Sequence, residues 1–257
     1  MSQRKEFTID LNESFPHLSR APIVEAVIHW QTAIGKVLEK SQLNDELTKR
    51  FPNYDCQQQQ VSLAEFKGSP DGVEMSTRAK WDGFRLNGKA DAEHNVVQLK
   101  QNGVIFSRVK HYDRWETLEA EALRFWEAFV SLAEPPIIER LGVRFINQVS
   151  LGKTNGPNVL KRIPPLPEGM GLSRDSFFHQ DTLRVSGSPY QINWIRTVQQ
   201  TLENERVLIV DIDVSMTQVE PAGRDALKKH LAEMRFLKNK LFFSCVTESA
   251  LKQFGRE

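Results

Sequence analysis

In the stretch RLGVRFIN (140–147), Arg140 and Arg144 interrupt a run that is otherwise apolar and β-branched. Alternate residues of a strand share a face. Arg140, Gly142, Arg144, Ile146 and Gln148 therefore fall on one side, opposite Leu141, Val143, Phe145, Asn147 and Val149. At strand rise the two arginines stand roughly 13 Å apart. Planar guanidinium forks match phosphate and carboxylate groups, so such a pair can flank an anion. Two further stretches carry the same intrusion. In VLIVDIDV (207–214), Asp211 and Asp213 share a face with Ile209; in IVEAVIHW (23–30), Glu25 and His29 share one with Ile23 and Val27. The functional expectation is a concave sheet face lined by Glu25, His29, Arg140, Arg144, Asp211 and Asp213. It would hold a small anionic ligand or a partner protein without catalysis. The plainer expectation is that these charges pair across strands on a solvated face, at a few tenths of a kcal/mol per pair.

Catalytic templates fit less well. Asp211-x-Asp213 suits a divalent metal, which defines the alternative of a metal-dependent phosphoesterase or nucleic-acid-processing enzyme. Its only nearby third carboxylate is Glu220, and no glycine-rich phosphate loop accompanies it. The six histidines (17, 29, 94, 111, 179, 230) show neither HxH nor HExxH spacing, and G-x-S-x-G, Walker A, C-x-x-C and G-x-G-x-x-G are absent. Cys56 and Cys245 have no flanking base. No cofactor or metal site is expected, and the balance leans away from an enzyme. A nucleic-acid alternative rests on Trp81, Phe84 and Phe106 with Arg85, Lys100 and Arg108, which on one sheet face would stack single-stranded bases. A third alternative is a structural subunit of a larger complex.

The bulk properties bound these readings. With 34 basic and 33 acidic residues among 257, the net charge is +1, which argues against a protein devoted to wrapping nucleic acid. A content of 40% hydrophobic and 26% charged residues describes an ordinary globular chain. MSQRKEFTIDLNESF has no apolar signal-peptide core, and no run approaches the roughly 20 apolar residues of a membrane span. Two isolated cysteines fit a reducing compartment. A soluble cytoplasmic protein is expected.

Several elements must position the candidate residues. A loose arm over 1–19 precedes the strand at 22–30 and an amphipathic helix over 36–51. The period then changes to two from 57 to 110, with Gly68-Ser69-Pro70, Asp82-Gly83, Asn87-Gly88 and Asn102-Gly103 marking the turns of a meander. A helix over 113–134, N-capped by Asp113, carries Trp115, Leu118, Ala122, Phe125, Trp126 and Phe129 and stops at Pro135-Pro136. The strand 137–151 leads to a Gly/Pro-rich linker or lid (152–175), a second meander, and a last helix from Pro221 into the 240s.

Four blocks carry a resemblance: L-x-x-A-P-I-V-E-A-V-I (Leu18 to Ile28), Y-D-R-W-E (Tyr112 to Glu116), R-L-G-V-R-F-I-N, and N-K-L-F-F-x-x-V-T (Asn239 to Thr247). Together they resemble a sporadically distributed, functionally uncharacterised prokaryotic family of about this length. The resemblance implies a bacterial or archaeal protein and brings no activity, cofactor or catalytic residue. Its patchy distribution is the kind shown by defence-associated or mobile genes. The fold expected is α+β, a large antiparallel sheet system with long helices across one face. It divides into a flexible arm (1–19), an N-terminal helix-on-sheet lobe (20–136) and a C-terminal one (137–257), with one continuous domain made of both lobes as the alternative.

Overall fold

A computed structural model describes residues 7–69, 72–152, 159–201, 203–219 and 223–256. Nine strands form one antiparallel sheet: β1 (Ile23–Thr32), β2 (Tyr54–Ser69), β3 (Gly72–Gly88), β4 (Asn95–Lys100), β5 (Gly103–Val109), β6 (Ile138–Ser150), β7 (Phe177–Arg184), β8 (Gln191–Gln200) and β9 (Arg206–Val219). Their spatial order is β2-β3-β4-β5-β1-β6-β9-β8-β7. Four helices complete the description: α1 (Lys40–Arg50), α2 (Trp115–Ala133), α3 (Arg224–Cys245) and α4 (Glu248–Gln253). The class is mixed α and β, dominated by sheet. None of the described helices is long and apolar enough to cross a membrane.

Alternation sorts the strands into two faces. On β1 the buried residues Ala26, Ile28 and Trp30 face the helices; on β6 Leu141, Val143 and Phe145 do, and on β9 Val210, Ile212 and Val214. α2 packs on β1 and β5, and α3 on β6 and β9. One cluster of buried side chains runs beneath both. Aromatic pairs fill it, among them Trp30 stacked on Trp126 at 5.4 Å and Phe51 on Phe125 at 3.9 Å between centroids. β1 and β6 adjoin at the centre of the sheet. Each pairs on its far side with the last strand of its own meander, β1 with β5 and β6 with β9.

Local differences from the sequence reading have local causes. Asp82-Gly83 does not turn the chain: β3 runs straight through it. A register shift between Gln59 and Gln60 makes it a bulge, where Gly83 takes φ +134°. A Cβ on Gly83 would lie 2.1 Å from the Leu99 carbonyl oxygen, so only glycine fits. α1 begins at Lys40 and not at 36, because the Gln101 side chain occupies both backbone groups of Leu38 (3.1 and 2.9 Å) ahead of it. α2 starts after Arg114, without a side-chain cap from Asp113. The last helix is two, α3 and α4, with Thr247 capping the second through the Ala250 N–H. Pro221, Glu220, Pro70 and 153–158 of the linker lie outside the described residues.

The segment read as a loose arm is held down where it meets α3 and α4. Phe15 stacks on Phe243 and meets Phe236 edge-on, Glu13 pairs with Lys240 at 2.7 Å, and Leu18 bridges to Arg256. The linker is pinned at Val159 and Leu160 in the same way. Val159 and Leu160 are buried, and Leu160 bridges to Val246; from Lys161 to Gly171 the chain is exposed.

Candidate functional site

The face opposite the helices gathers the six residues singled out by alternation, and strand register explains how. Gly142 lies opposite His29 on one side and Ser215 on the other; Arg144 lies between Val27 and Asp213. The Arg140 guanidinium folds back over Gly142, where a Cβ would sit 2.5 Å from Nη1. From there Nη2 donates to both Asp213 oxygens (2.8 and 2.6 Å), and Nη1 donates to His29 Nδ1 at 3.1 Å. A guanidinium has no acceptor, so Nδ1 carries the lone pair and the imidazole is neutral. Burial, then Arg140, then Lys100 lower the His29 pKa to about 4. Arg144 places Nε on Asp211 Oδ1 (2.9 Å) and Nη2 on Oδ2 (2.5 Å). The Asp211 bonds first, with further help from the carboxylates around it, raise the Arg144 pKa. Burial raises that of Asp213 against the opposing pull of Arg140. Asp211 is 5% exposed.

Both guanidinium forks, which the sequence offers to an anion, are thus occupied by the protein's own carboxylates. Glu25 lies on the same face and forms no ion pair among the described residues. With His29 neutral, two guanidiniums stand against three carboxylates, a balance that does not attract an anion. The same pairing takes both oxygens of Asp211 and of Asp213 away from a metal, and no group of three His, Cys, Asp or Glu among the described residues could hold one. The stacking platform is also redistributed. Phe84 and Phe106 are buried in the core, Lys100 is paired with Asp82 at 2.8 Å, and Arg108 is bonded to Asn95 at 3.0 Å.

A second site lies on the helix side of the sheet, where the sequence reading placed nothing. α2 and α3 run antiparallel, tied by Arg235 to Glu116 (3.1 Å) and Arg224 to Glu127 (2.6 Å). Near the start of α2 an open-sided cavity of about 780 Å³ lies between them, bordered by the segment 15–23. Tyr112, Asn147, Arg235, Lys238 and Phe242 line it, with Arg20 on the bordering segment. Lys238 is the unusual member. It is 9% exposed, and its Nζ sits 3.8 Å over the Phe145 ring. It makes no hydrogen bond and no ion pair among the described residues. Burial first, then the nearby Arg235 charge, lower its pKa to about 7. An ammonium in such a place costs several kcal/mol unless something compensates it, and one cation–π contact compensates about 2.

Arg20 also lacks an ion pair among the described residues, so the cavity carries more positive than negative charge. Burial leads the causes that keep the Tyr112 phenol protonated. A signal for this site was present in the sequence: Lys238 lies four residues after Met234 and four before Phe242, inside the buried stripe of α3. Comparison with protein-family models, with curated proteins and with solved structures returns no match, so the functional reading rests on this geometry.

Proposed function

We propose that the chain is a non-enzymatic binding protein for a small anionic ligand, and that the ligand occupies the helix-side cavity and not the open sheet face. The observation carrying this reading is Lys238: a side chain only 9% exposed whose ammonium reaches a cavity large enough for a small molecule and has no acceptor among the described residues. A carboxylate or phosphate there would supply the missing counter-charge. Arg20 stands at the same cavity to share it, and so does Arg235, which gives only Nη1 to Glu116 and keeps the rest of its guanidinium for the ligand. We also read the two halves of the chain as one plan used twice, each a strand, a meander and a helix. On that reading the cavity lies at their seam, with α2 from one half and α3 from the other, a common place for ligand sites.

Calorimetric titration with inorganic phosphate and with lactate tests this. At least one should bind in the wild type, and Lys238→Met should weaken it tenfold or more. A folding control is built in. The folded-state pKa of Lys238 lies below its unfolded value, so its burial is costly at pH 7 and below, and the cost is relieved as pH rises from about 7 towards 10.5. Lys238→Met should therefore be more stable than wild type at pH 7, by about 3 kcal/mol, with a gain that shrinks by pH 10. Absence of binding by both anions to the wild type would end the proposal.

A further inference from the structure

A lysine ordinarily spends its three donors on acceptors or water. Lys238 spends none on the described protein, and its Nζ is held over the Phe145 ring instead. Two chemistries suit a buried amine at a cavity. As an ammonium it neutralises an anion; as a free amine its lone pair attacks a carbonyl carbon. The surroundings serve both. Tyr112 packs edge-on against the same Phe145 ring, at 5.2 Å between centroids, so phenol and amine share one wall. The Tyr112 hydroxyl has no hydrogen-bond partner among the described residues. Arg235 lies three residues before Lys238 on α3, which makes them neighbours on the helix surface. An amine, a phenol and a guanidinium around one cavity match a small molecule bearing a carbonyl next to an anionic group.

We infer that Lys238 captures a 2-oxo acid as an imine, the ligand's carboxylate resting against Arg20 and Arg235. This deepens the anion-binding reading and rests on it. The step balances without any redox partner. The Nζ lone pair forms a bond to the carbonyl carbon while the carbonyl π pair moves to oxygen, and that oxygen takes a proton from the Tyr112 hydroxyl. The nitrogen returns a proton to the Tyr112 oxygen, giving the neutral carbinolamine; Tyr112 then protonates the hydroxyl, which leaves as water while the nitrogen lone pair forms the C=N bond, and the iminium nitrogen restores the Tyr112 proton. Hydrolysis by the reverse path releases the ligand unchanged. The lowered basicity of Lys238 gives it roughly a thousandfold more free amine at pH 7 than an ordinary lysine.

The experiment incubates the full chain with pyruvate and sodium cyanoborohydride at pH 7, then maps adducts by peptide mass spectrometry. Lactate calorimetry runs in parallel on the same protein. The expected result is a reduced pyruvyl adduct on Lys238, formed about tenfold or more faster than on exposed lysines, because lowered basicity frees the amine while reducing its nucleophilicity. The adduct should be absent in Lys238→Met and slowed when lactate competes. Lactate binding without a preferential adduct on Lys238 overturns the imine and leaves the anion reading standing. Binding of neither lactate nor pyruvate overturns both. The same preference for Lys238 over exposed lysines with acetone, a ketone that lacks the carboxylate, overturns the assignment of a 2-oxo acid.

Discussion

Removing one charge from the open face tests whether its ion pairs are structural or ornamental. Arg144→Leu deletes the partner of Asp211, a carboxylate 5% exposed whose two oxygens both rest on that guanidinium. Stranding a carboxylate in a fully buried pair costs about 3–5 kcal/mol, whereas losing a surface pair costs about 0–1. This pair lies between the two. The Arg144 side chain is 46% exposed against 8% for Asp211, so water entering from the arginine's side can re-solvate part of the stranded charge. The expected loss is about 2 kcal/mol. For a chain of this size that is a fall in Tm of about 4–8 °C, or a drop in urea midpoint of about 0.7–1 M with a slope of 2–3 kcal/mol/M. Equilibrium urea unfolding at pH 7 followed by tryptophan fluorescence reads it directly. The double variant Arg144→Leu/Asp211→Asn separates causes, because neutralising the stranded carboxylate should restore about 1 kcal/mol or more. A loss below about 0.5 kcal/mol, with nothing restored in the double variant, would refute the reasoning. Asp211 would then be solvated in spite of its burial.

Two further outcomes follow from the same array. The folded-state pKa of His29 is depressed to about 4 from 6.5, so the unfolded chain binds the extra proton between these values; the stability contributed by neutral His29 is complete above about 6.5 and is lost as pH falls towards 4. Thermal melts from pH 7.5 to 4.5 should show wild type losing about 2–3 kcal/mol relative to His29→Gln across that window, and parallel curves would contradict the assignment. Gly142→Ala puts a methyl where the Arg140 guanidinium lies, so the guanidinium must swing away from His29. Imidazole chemical shifts should then titrate closer to 6.5 with a stability loss of about 1–2 kcal/mol; an unmoved His29 titration would mean that Arg140 does not set it.

The pattern of two along VLIVDIDV and RLGVRFINQ was enough to assign faces, because a strand buried on one side has little freedom in register. It places Arg140, Arg144, Asp211, Asp213, Glu25 and His29 on one surface. Alternation carries no information on cross-strand partners, which depend on how far each strand slides past its neighbour. It did not reveal that Arg140 reaches Asp213 across Gly142 and that Arg144 reaches Asp211. Asp82-Gly83 misled for a related reason: a glycine with positive φ serves a bulge as well as a hairpin, and only the partner strand distinguishes them. A lysine amid Met234, Leu237 and Leu241 reads as a side chain extending past the apolar stripe to water, so the pattern alone does not single out Lys238. It turns inward instead, over Phe145 of β6, a contact between distant parts of the chain.

The central position of β1 has a consequence for how the chain is made. Ala26 pairs with Arg108 on one side and with Phe145 on the other. At ribosomal speeds of about 5–20 residues per second, β1 emerges on the order of ten seconds before its second neighbour exists. During that interval Ala26, Ile28 and Trp30 have no completed sheet to enter, and β1 keeps a row of unclaimed backbone donors and acceptors. Both of its pairings are long-range in sequence, the kind that close slowly, whereas β4 and β5 can zip as a neighbouring hairpin at once. The nascent chain is thus most exposed to misassociation between synthesis of β1 and arrival of β6, and holdase chaperones or slowed translation in that window should govern the yield of folded protein.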